Sequence, residues 1–139
     1  MKKNDENLKW RLCEAYFSII TSSLKTDVSL EKLCEYSKVS HNEARKIIPK
    51  NYVNYKFFFL KNLLTKLDQK TLCQLKSEIS EDTISTVYDK ILEGITIRFE
   101  KYLPYRQALK IFSTSLNLKT ENFLKLLEKT TFLCSILLI

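Results

Sequence analysis

The apolar residues of this chain recur every three or four positions, which is the spacing of one face of an α-helix. The first stripe predicts a helix over about residues 7–22. It consists of Leu8, Leu12, Ala15, Tyr16, Ile19 and Ile20. A loop over residues 23–28 follows, and Asp27 or Ser29 is expected to cap the next helix.

Two short helices around a tight turn are predicted between Ser29 and Pro49, where the second helix must end. The pattern breaks at residues 37–39, and Ser40 then opens the second helix with Glu43 three residues further on. This spacing is a capping box, in which the Ser40 hydroxyl and the Glu43 carboxylate each accept a hydrogen bond from a free backbone N–H. The apolar sides consist of Leu30, Leu33 and Cys34, and of Ala44, Ile47 and Ile48. Such a pair is a helix-turn-helix.

A long run without Gly or Pro predicts one connecting helix over about residues 52–76. Its apolar residues cover more than half of the helix surface, so we expect burial on more than one side. They are Tyr52, Tyr55, Phe58, Phe59, Leu60, Leu63, Leu64 and Leu67. A second break is predicted over residues 77–82.

Three further helices are predicted after this break. Ser80 is expected to cap the first of them, which runs to about Leu103 and contains Gly94 at a close helix contact. Pro104 starts the next helix at the position where proline is tolerated, and Thr120 caps the last one. The final apolar run stops within a helical stripe, and we expect that the natural protein or its ancestor continues further.

Composition agrees with an all-α fold, because the chain contains one Gly and two Pro, which strands and tight turns need more than helices do. We expect a three-helix bundle with the helix-turn-helix over residues 1–50. Residues 51–139 are expected to form a C-terminal helical part for ligand binding and dimerisation, in one compact unit with the first.

The net charge of +7 suits nucleic acid, an anionic membrane surface or plain solubility. Residues 1–50 contain ten Lys or Arg and seven Asp or Glu, and residues 51–139 contain thirteen and nine. The basic charge is therefore spread along the chain, whereas a dedicated DNA-binding protein usually concentrates it where it docks.

The four cysteines are far apart in sequence and are interpreted as small buried apolar groups in a reducing, cytoplasmic compartment. They are Cys13, Cys34, Cys73 and Cys134. With His41 as the one histidine, no Cys/His zinc set of usual spacing is expected. We find no enzyme or cofactor signature, and no apolar run approaches the ~20 residues that cross a bilayer.

Three short helices, a long connector and a helical C-terminal part resemble the tetracycline-repressor fold. The likeness is carried by Val39-Ser40 at the start of the third helix and by Ile48-Pro49-Lys50 at its end. The sequence departs from the family pattern in three places. Lys38 replaces the usual turn Gly, Arg45 stands where a phosphate-contacting Tyr is common, and Ile47 replaces a frequent His.

The chain is more similar to one branch of that fold, the coenzyme Q biosynthesis protein nine family. The matching segments are residues 44–49 (ARKIIP), 88–91 (YDKI), 97–100 (IRFE), 105–109 (YRQAL) and, more loosely, 126–130 (LLEKT). The resemblance implies an accessory role in ubiquinone biosynthesis, an isoprenoid or other lipid as ligand, a ubiquinone-pathway enzyme as partner and peripheral contact at the inner membrane face. The family's later helices, including the amphipathic one implied to contact membrane, are absent from this sequence.

Two candidate sites follow. The first is a lipid pocket among the C-terminal helices, since ligand sites are mostly apolar with few polar groups; ordinary core is the alternative. Its residues are Phe99, Tyr102, Phe112, Phe123, Leu127 and Phe132. The second is a recognition helix in the major groove of DNA; a solvated polar face is the alternative. Its residues are His41, Asn42, Arg45 and Lys46 for bases, with Lys50 and Tyr52 for phosphates.

Three functions remain open on the sequence. The first is a non-enzymatic accessory protein that buries an isoprenoid tail and presents it to an enzyme. The second is a DNA-binding transcriptional regulator of the tetracycline-repressor family, which acts as a homodimer. The third is a remnant or fragment that only takes part in protein interactions.

Overall fold

The computed structural model describes residues 2–50, 52–81 and 86–115 of the chain. Within these ranges every element is helical, which confirms the all-α prediction. The α-helices are α1 (Lys2–Ser23), α2 (Leu30–Ser37), α3 (His41–Ile47), α4 (Tyr52–Glu81), α5 (Val87–Tyr102) and α6 (Arg106–Ser115). A 3-10 turn at Leu103–Tyr105 joins α5 to α6, with Pro104 at its start. The predicted cap at Thr120 lies outside the described residues.

The chain forms two compact units. The first contains Met1–Thr65 and Gln107–Ser115, and the second contains Lys66–Arg106 among the described residues. This division differs from the predicted one at residue 50, because the first half of α4 packs with the N-terminal helices and α6 returns to them.

The core of the first unit is built around α1. Tyr16 is fully buried, and its ring stacks on the ring of Phe59 with centroids 4.7 Å apart. Its hydroxyl donates a hydrogen bond to the carbonyl of Thr26 at 3.0 Å. The neighbouring Phe17 contacts Phe112 of α6, with ring centroids 6.3 Å apart. α1 begins at Lys2, earlier than predicted, and Asp5 in its first turn favours this start because it faces the positive end of the helix dipole.

The predicted helix-turn-helix is present. Ser29 caps α2 by accepting a hydrogen bond from the Lys32 N–H, and Ser40 caps α3. Between the helices, Lys38 adopts a left-handed backbone conformation with φ 56° and ψ 35°. From α1, Arg11 donates a hydrogen bond to the carbonyl of Ser37 at 2.8 Å, which satisfies a free carbonyl at the end of α2.

The predicted long connector is one helix, but the break predicted over residues 77–82 is wrong for residues 77–81. α4 continues through Ser80 to Glu81, and α5 begins only at Val87. The cap of α5 is Thr86, whose backbone N–H donates to the Asp89 carboxylate at 3.0 Å while the Thr86 hydroxyl accepts from the Asp89 N–H at 3.2 Å. Ser80 has no acidic or amide residue three positions later, so it lacks the second half of this box.

Replacing Lys38 by Gly should stabilise the protein. A left-handed residue with a Cβ atom costs roughly 1–2 kcal/mol, and Gly avoids this cost but loses more entropy on folding. We expect a net gain of about 1 kcal/mol in the free energy of unfolding, measured with urea. Lys38→Ala keeps the Cβ atom and is the control, with no comparable gain. A Gly variant that is less stable than the wild type would contradict the turn geometry.

Phe112→Ala and Phe99→Ala should differ sharply in stability. Phe112 is 2% exposed against Phe17, so its truncation leaves a cavity and should cost about 3–5 kcal/mol. Phe99 is 73% exposed, so its truncation should change the free energy of unfolding by no more than about 0.5 kcal/mol. Urea unfolding of both variants checks this, and equal losses would mean that Phe99 is covered in solution.

Candidate nucleic-acid interface

One side of α3 presents four exposed polar side chains to solvent. Asn42 and Lys46 lie one helical turn apart, and so do His41 and Arg45. On the opposite side Ala44 is completely buried and anchors the helix against its neighbours. The structure therefore brings together the four residues predicted for base contacts, on one accessible surface. α3 packs against both α1 and α2, which holds that surface in place.

Glu43 also lies on α3, but its charge is used within the helix. The Glu43 carboxylate accepts hydrogen bonds from the Ser40 hydroxyl at 2.7 Å and from the Ser40 backbone N–H at 3.3 Å. These bonds hold the pKa of Glu43 below its usual value, because they stabilise the ionised form. The capping box thus assigns a structural role to the one carboxylate of α3.

The predicted phosphate contacts lie at the end of α3. Lys50 is exposed just beyond the helix, after Pro49. Tyr52 is the first residue of α4, and its side chain is not among those that the structure describes. Lys38 is also exposed, in the turn that precedes α3.

A cleft of about 500 Å³ lies beside the C-terminal end of α3. It is lined by Val28, Ser29, Leu30, Arg45, Ile48, Pro49 and Lys50. The cleft was not predicted, because its walls come from the loop before α2 and from the ends of two helices. The stripes of apolar residues within each helix carry no signal for it.

The structure describes three of the six residues predicted for a lipid pocket. Phe112 belongs to the core of the first unit, whereas Phe99 and Tyr102 belong to α5 in the second. None of these three lines the cleft beside α3. Phe123, Leu127 and Phe132 lie outside the described residues, so the lipid site stays a prediction.

α5 has apolar residues on two opposite sides. Gly94 and Ile97 are buried, while a row of large apolar side chains on the other side is exposed. This row consists of Tyr88, Leu92, Ile95 and Phe99, and Leu103 in the following 3-10 turn is also exposed. Exposed carboxylates at Asp89 and Glu100 run along one edge of the row, so this edge is repelled by anionic surfaces.

A second cleft, of about 510 Å³, lies beside α5 and is acidic. Its carboxylates are those of Glu78, Asp89, Glu93 and Glu100. The Gln74 amide donates a hydrogen bond to Glu78 at 2.8 Å, and this bond is the main cause of the lowered pKa of Glu78. The electrostatics of this cleft oppose phosphate and nucleic acid.

Tyr102 takes part in a polar cluster in the second unit. Its hydroxyl donates a hydrogen bond to Asp68 at 3.0 Å, and the guanidinium of Arg98 donates to the same Asp68 oxygen at 3.1 Å. Burial raises the pKa of Tyr102 to about 12, so its hydroxyl keeps its proton. Burial also raises the pKa of Asp68, although Arg98 and Tyr102 act in the opposite direction. The cluster joins α4 to α5.

The cysteines only partly follow the prediction. Cys13 and Cys34 are buried, but Cys73 is exposed on α4, so the prediction was wrong for Cys73. The Cys13 thiol donates to the carbonyl of Phe59 at 3.4 Å, and burial raises its pKa to about 12, which makes it inert. Cys134 lies outside the described residues.

Residues 2–50, 52–81 and 86–115 contain no group of three His, Cys, Asp or Glu side chains that could hold a metal ion. None of the helices in these ranges is both long enough and apolar enough to cross a membrane. No protein-family model, curated protein or solved structure matches this chain. The arguments for function therefore come from the geometry of the chain itself.

Acid titration should reveal the burial of Asp68. Between pH 3.8, its ordinary pKa, and its raised pKa in the folded protein, the folded state holds a proton that the unfolded state has lost. Stability therefore rises as the pH falls through this window. We expect the free energy of unfolding of the wild type to increase relative to that of Asp68→Asn as the pH is lowered from about 6 to about 3.

Glu43→Gln is the control, because the contribution of Glu43 to stability changes with pH in the opposite direction. The pKa of Glu43 is lowered by Ser40, so the capping contribution is present above pH 4.5 and disappears as the pH falls through the folded pKa. As the pH is lowered over the same range, the free energy of unfolding of the wild type should fall relative to that of Glu43→Gln, measured with urea. If it also falls relative to that of Asp68→Asn, then the pairing of Asp68 with Arg98 outweighs the burial of the carboxylate.

Proposed function

We propose that this chain is a DNA-binding protein of the helix-turn-helix type, with the overall plan of a tetracycline-repressor-like regulator and with α3 as the recognition helix. The observation that carries the proposal is the exposed surface of α3, where His41, Asn42, Arg45 and Lys46 lie together opposite the buried Ala44. These side chains include the types that hydrogen-bond base edges in the major groove.

The size and chemistry of α3 fit this role. An α-helix with its side chains is about 10–12 Å in diameter, and the major groove, about 12 Å wide, admits it. Arg45 or Lys46 can donate two hydrogen bonds to guanine, and Asn42 can make a bidentate contact with adenine. Each well-formed pair contributes about 1–3 kcal/mol of discrimination against the wrong base.

The surroundings of α3 favour a polyanion. Lys38 precedes the helix and Lys50 follows it, and both are exposed, so both are free to contact phosphates. The Glu43 carboxylate accepts hydrogen bonds from the hydroxyl and the backbone N–H of Ser40, which keep it at the start of the helix. Positive side chains thus flank the base-reading surface along the chain.

A regulator of this plan acts as a homodimer, which reads two half-sites about 34–36 Å apart on DNA. The accessory role in ubiquinone biosynthesis stays a prediction of the sequence resemblance. Three of its six proposed lipid contacts lie outside the described residues, so no described pocket carries this role. DNA binding is therefore the function that the geometry supports best.

The proposal is tested by selecting binding sites from a random duplex library and measuring affinity by fluorescence anisotropy. We expect a selected sequence to bind about 10³-fold or more tightly than unselected DNA, with affinity falling steeply between about 50 mM and 200 mM salt. Arg45→Glu with Lys46→Glu should abolish this preference, and Lys50→Ala should reduce the salt slope by about 1 while sparing the preference.

Lys76→Glu is the matched control for the single variant Lys46→Glu. Lys76 is exposed on α4 in the second unit, and both replacements change the net charge by the same amount. It should leave the affinity and the preference close to those of the wild type. Equal losses in Lys76→Glu and Lys46→Glu, or undiminished binding by the double variant, would show that α3 does not read DNA.

A further inference from the structure

The cleft beside α3 combines an apolar interior with a positive rim. Val28 and Ile48 are buried in its wall, and Leu30 and Pro49 are partly buried there. Its volume of about 500 Å³ lies within the range of about 300–1,000 Å³ that is usual for small-molecule sites. The cleft therefore has the size and the lining of a site for a small ligand.

At Ile48 and Pro49 the backbone of the wall has no free N–H group for a ligand. The N–H of Ile48 already donates a hydrogen bond to the carbonyl of Ala44 at 2.9 Å, and Pro49 has no N–H group. The hydroxyl of Ser29 accepts from the Lys32 N–H at the start of α2. Burying an apolar body here removes apolar surface from water and leaves no backbone donor of Ile48 or Pro49 unsatisfied.

Two cations stand at the rim, Arg45 from α3 and Lys50 from beyond it, and both are exposed. Neither makes an ion pair within the residues that the structure describes. The acidic residue just before this part of the loop, Asp27, has its carboxylate 2.9 Å from the Lys56 ammonium, which offsets its charge. No carboxylate lines the cleft, so an anion is attracted to this rim.

We propose that this cleft binds a small amphipathic anion, with an apolar body against Val28, Leu30 and Ile48 and a carboxylate or phosphate group held by Arg45 and Lys50. The guanidinium matches the two oxygens of such a group in a bidentate contact, and the ammonium adds a second charge-assisted bond. The inference deepens the proposed function and rests on it in one respect. Because Arg45 also belongs to the base-reading surface, the bound anion competes with DNA for this side chain.

The ligand site is tested first on the full chain without DNA. Decanoate, monodecyl phosphate and the uncharged decanol share the same apolar body and serve as probes, each below its aggregation threshold. We expect at least one of the two anions to bind about tenfold or more tightly than decanol, measured by isothermal titration calorimetry. The stronger of decanoate and monodecyl phosphate identifies the preferred head group.

Two variants locate the site. Arg45→Ala with Lys50→Ala should weaken anion binding about tenfold or more while leaving decanol unchanged, and both residues are exposed, so the fold tolerates the change. Lys46→Ala alters the neighbouring cation on α3, which does not line the cleft, and should bind the anions as the wild type does. Equal affinity of the three probes, or anion binding that survives loss of both rim cations, overturns the proposal.

Competition is measured second, with the selected DNA. A saturating anion should weaken DNA binding by the wild type about tenfold. Lys46→Ala should lose DNA affinity and keep the ligand, which separates the two functions. If no DNA sequence is bound but the anion still binds through Arg45 and Lys50, the regulatory function fails and the ligand site stands. If DNA binds and the anion does not, the ligand site fails alone.

Discussion

The packing of Tyr16 determines how the first unit is arranged. Its ring stacks on Phe59 of the long helix, and its hydroxyl holds the carbonyl of Thr26 in the loop that leads into the helix-turn-helix. Lys56, one turn before Phe59 on the same helix, holds this loop from a second side through the Thr26 hydroxyl and the Asp27 carboxylate. The loop cannot shift without breaking a buried hydrogen bond, and removing the partner of a buried polar group costs about 1–3 kcal/mol.

This arrangement links the core to both proposed activities. The loop held by Tyr16 continues directly into Val28 and Ser29, which form one wall of the cleft and the cap of α2. α3 is then fixed by its own capping box and by the buried Ala44, so its exposed side has one orientation. Because Arg45 and Lys46 stay in water, they add little to the stability of the fold, and DNA or a ligand can bind them without unfolding α3.

Local signals in the sequence predicted the helix-turn-helix, because a cap, a box and a terminating proline act within a few residues. The true start of α5 has a signal of the same kind in Thr86 and Asp89, whereas the predicted cap Ser80 lacks the second half of its box. The separate fates of Phe99 and Phe112 could not be predicted this way. Both lie at helical spacing in apolar stripes, and only a distant partner, Phe17, makes one of them core. The cleft was not predicted for the same reason, because its lining residues are brought together only by the packing of separate segments.

The first unit is discontinuous along the chain, since its core is closed by α6, which comes after the whole described part of the second unit. Synthesis on the ribosome proceeds at about 5–20 residues per second, so Phe112 emerges roughly 5–20 s after Phe17. During this interval the N-terminal helices exist without their last packing partner and expose the surface that it covers. The N-terminal helices therefore complete their core only after α6 has been synthesised, and chaperones at the ribosomal exit meet them before that.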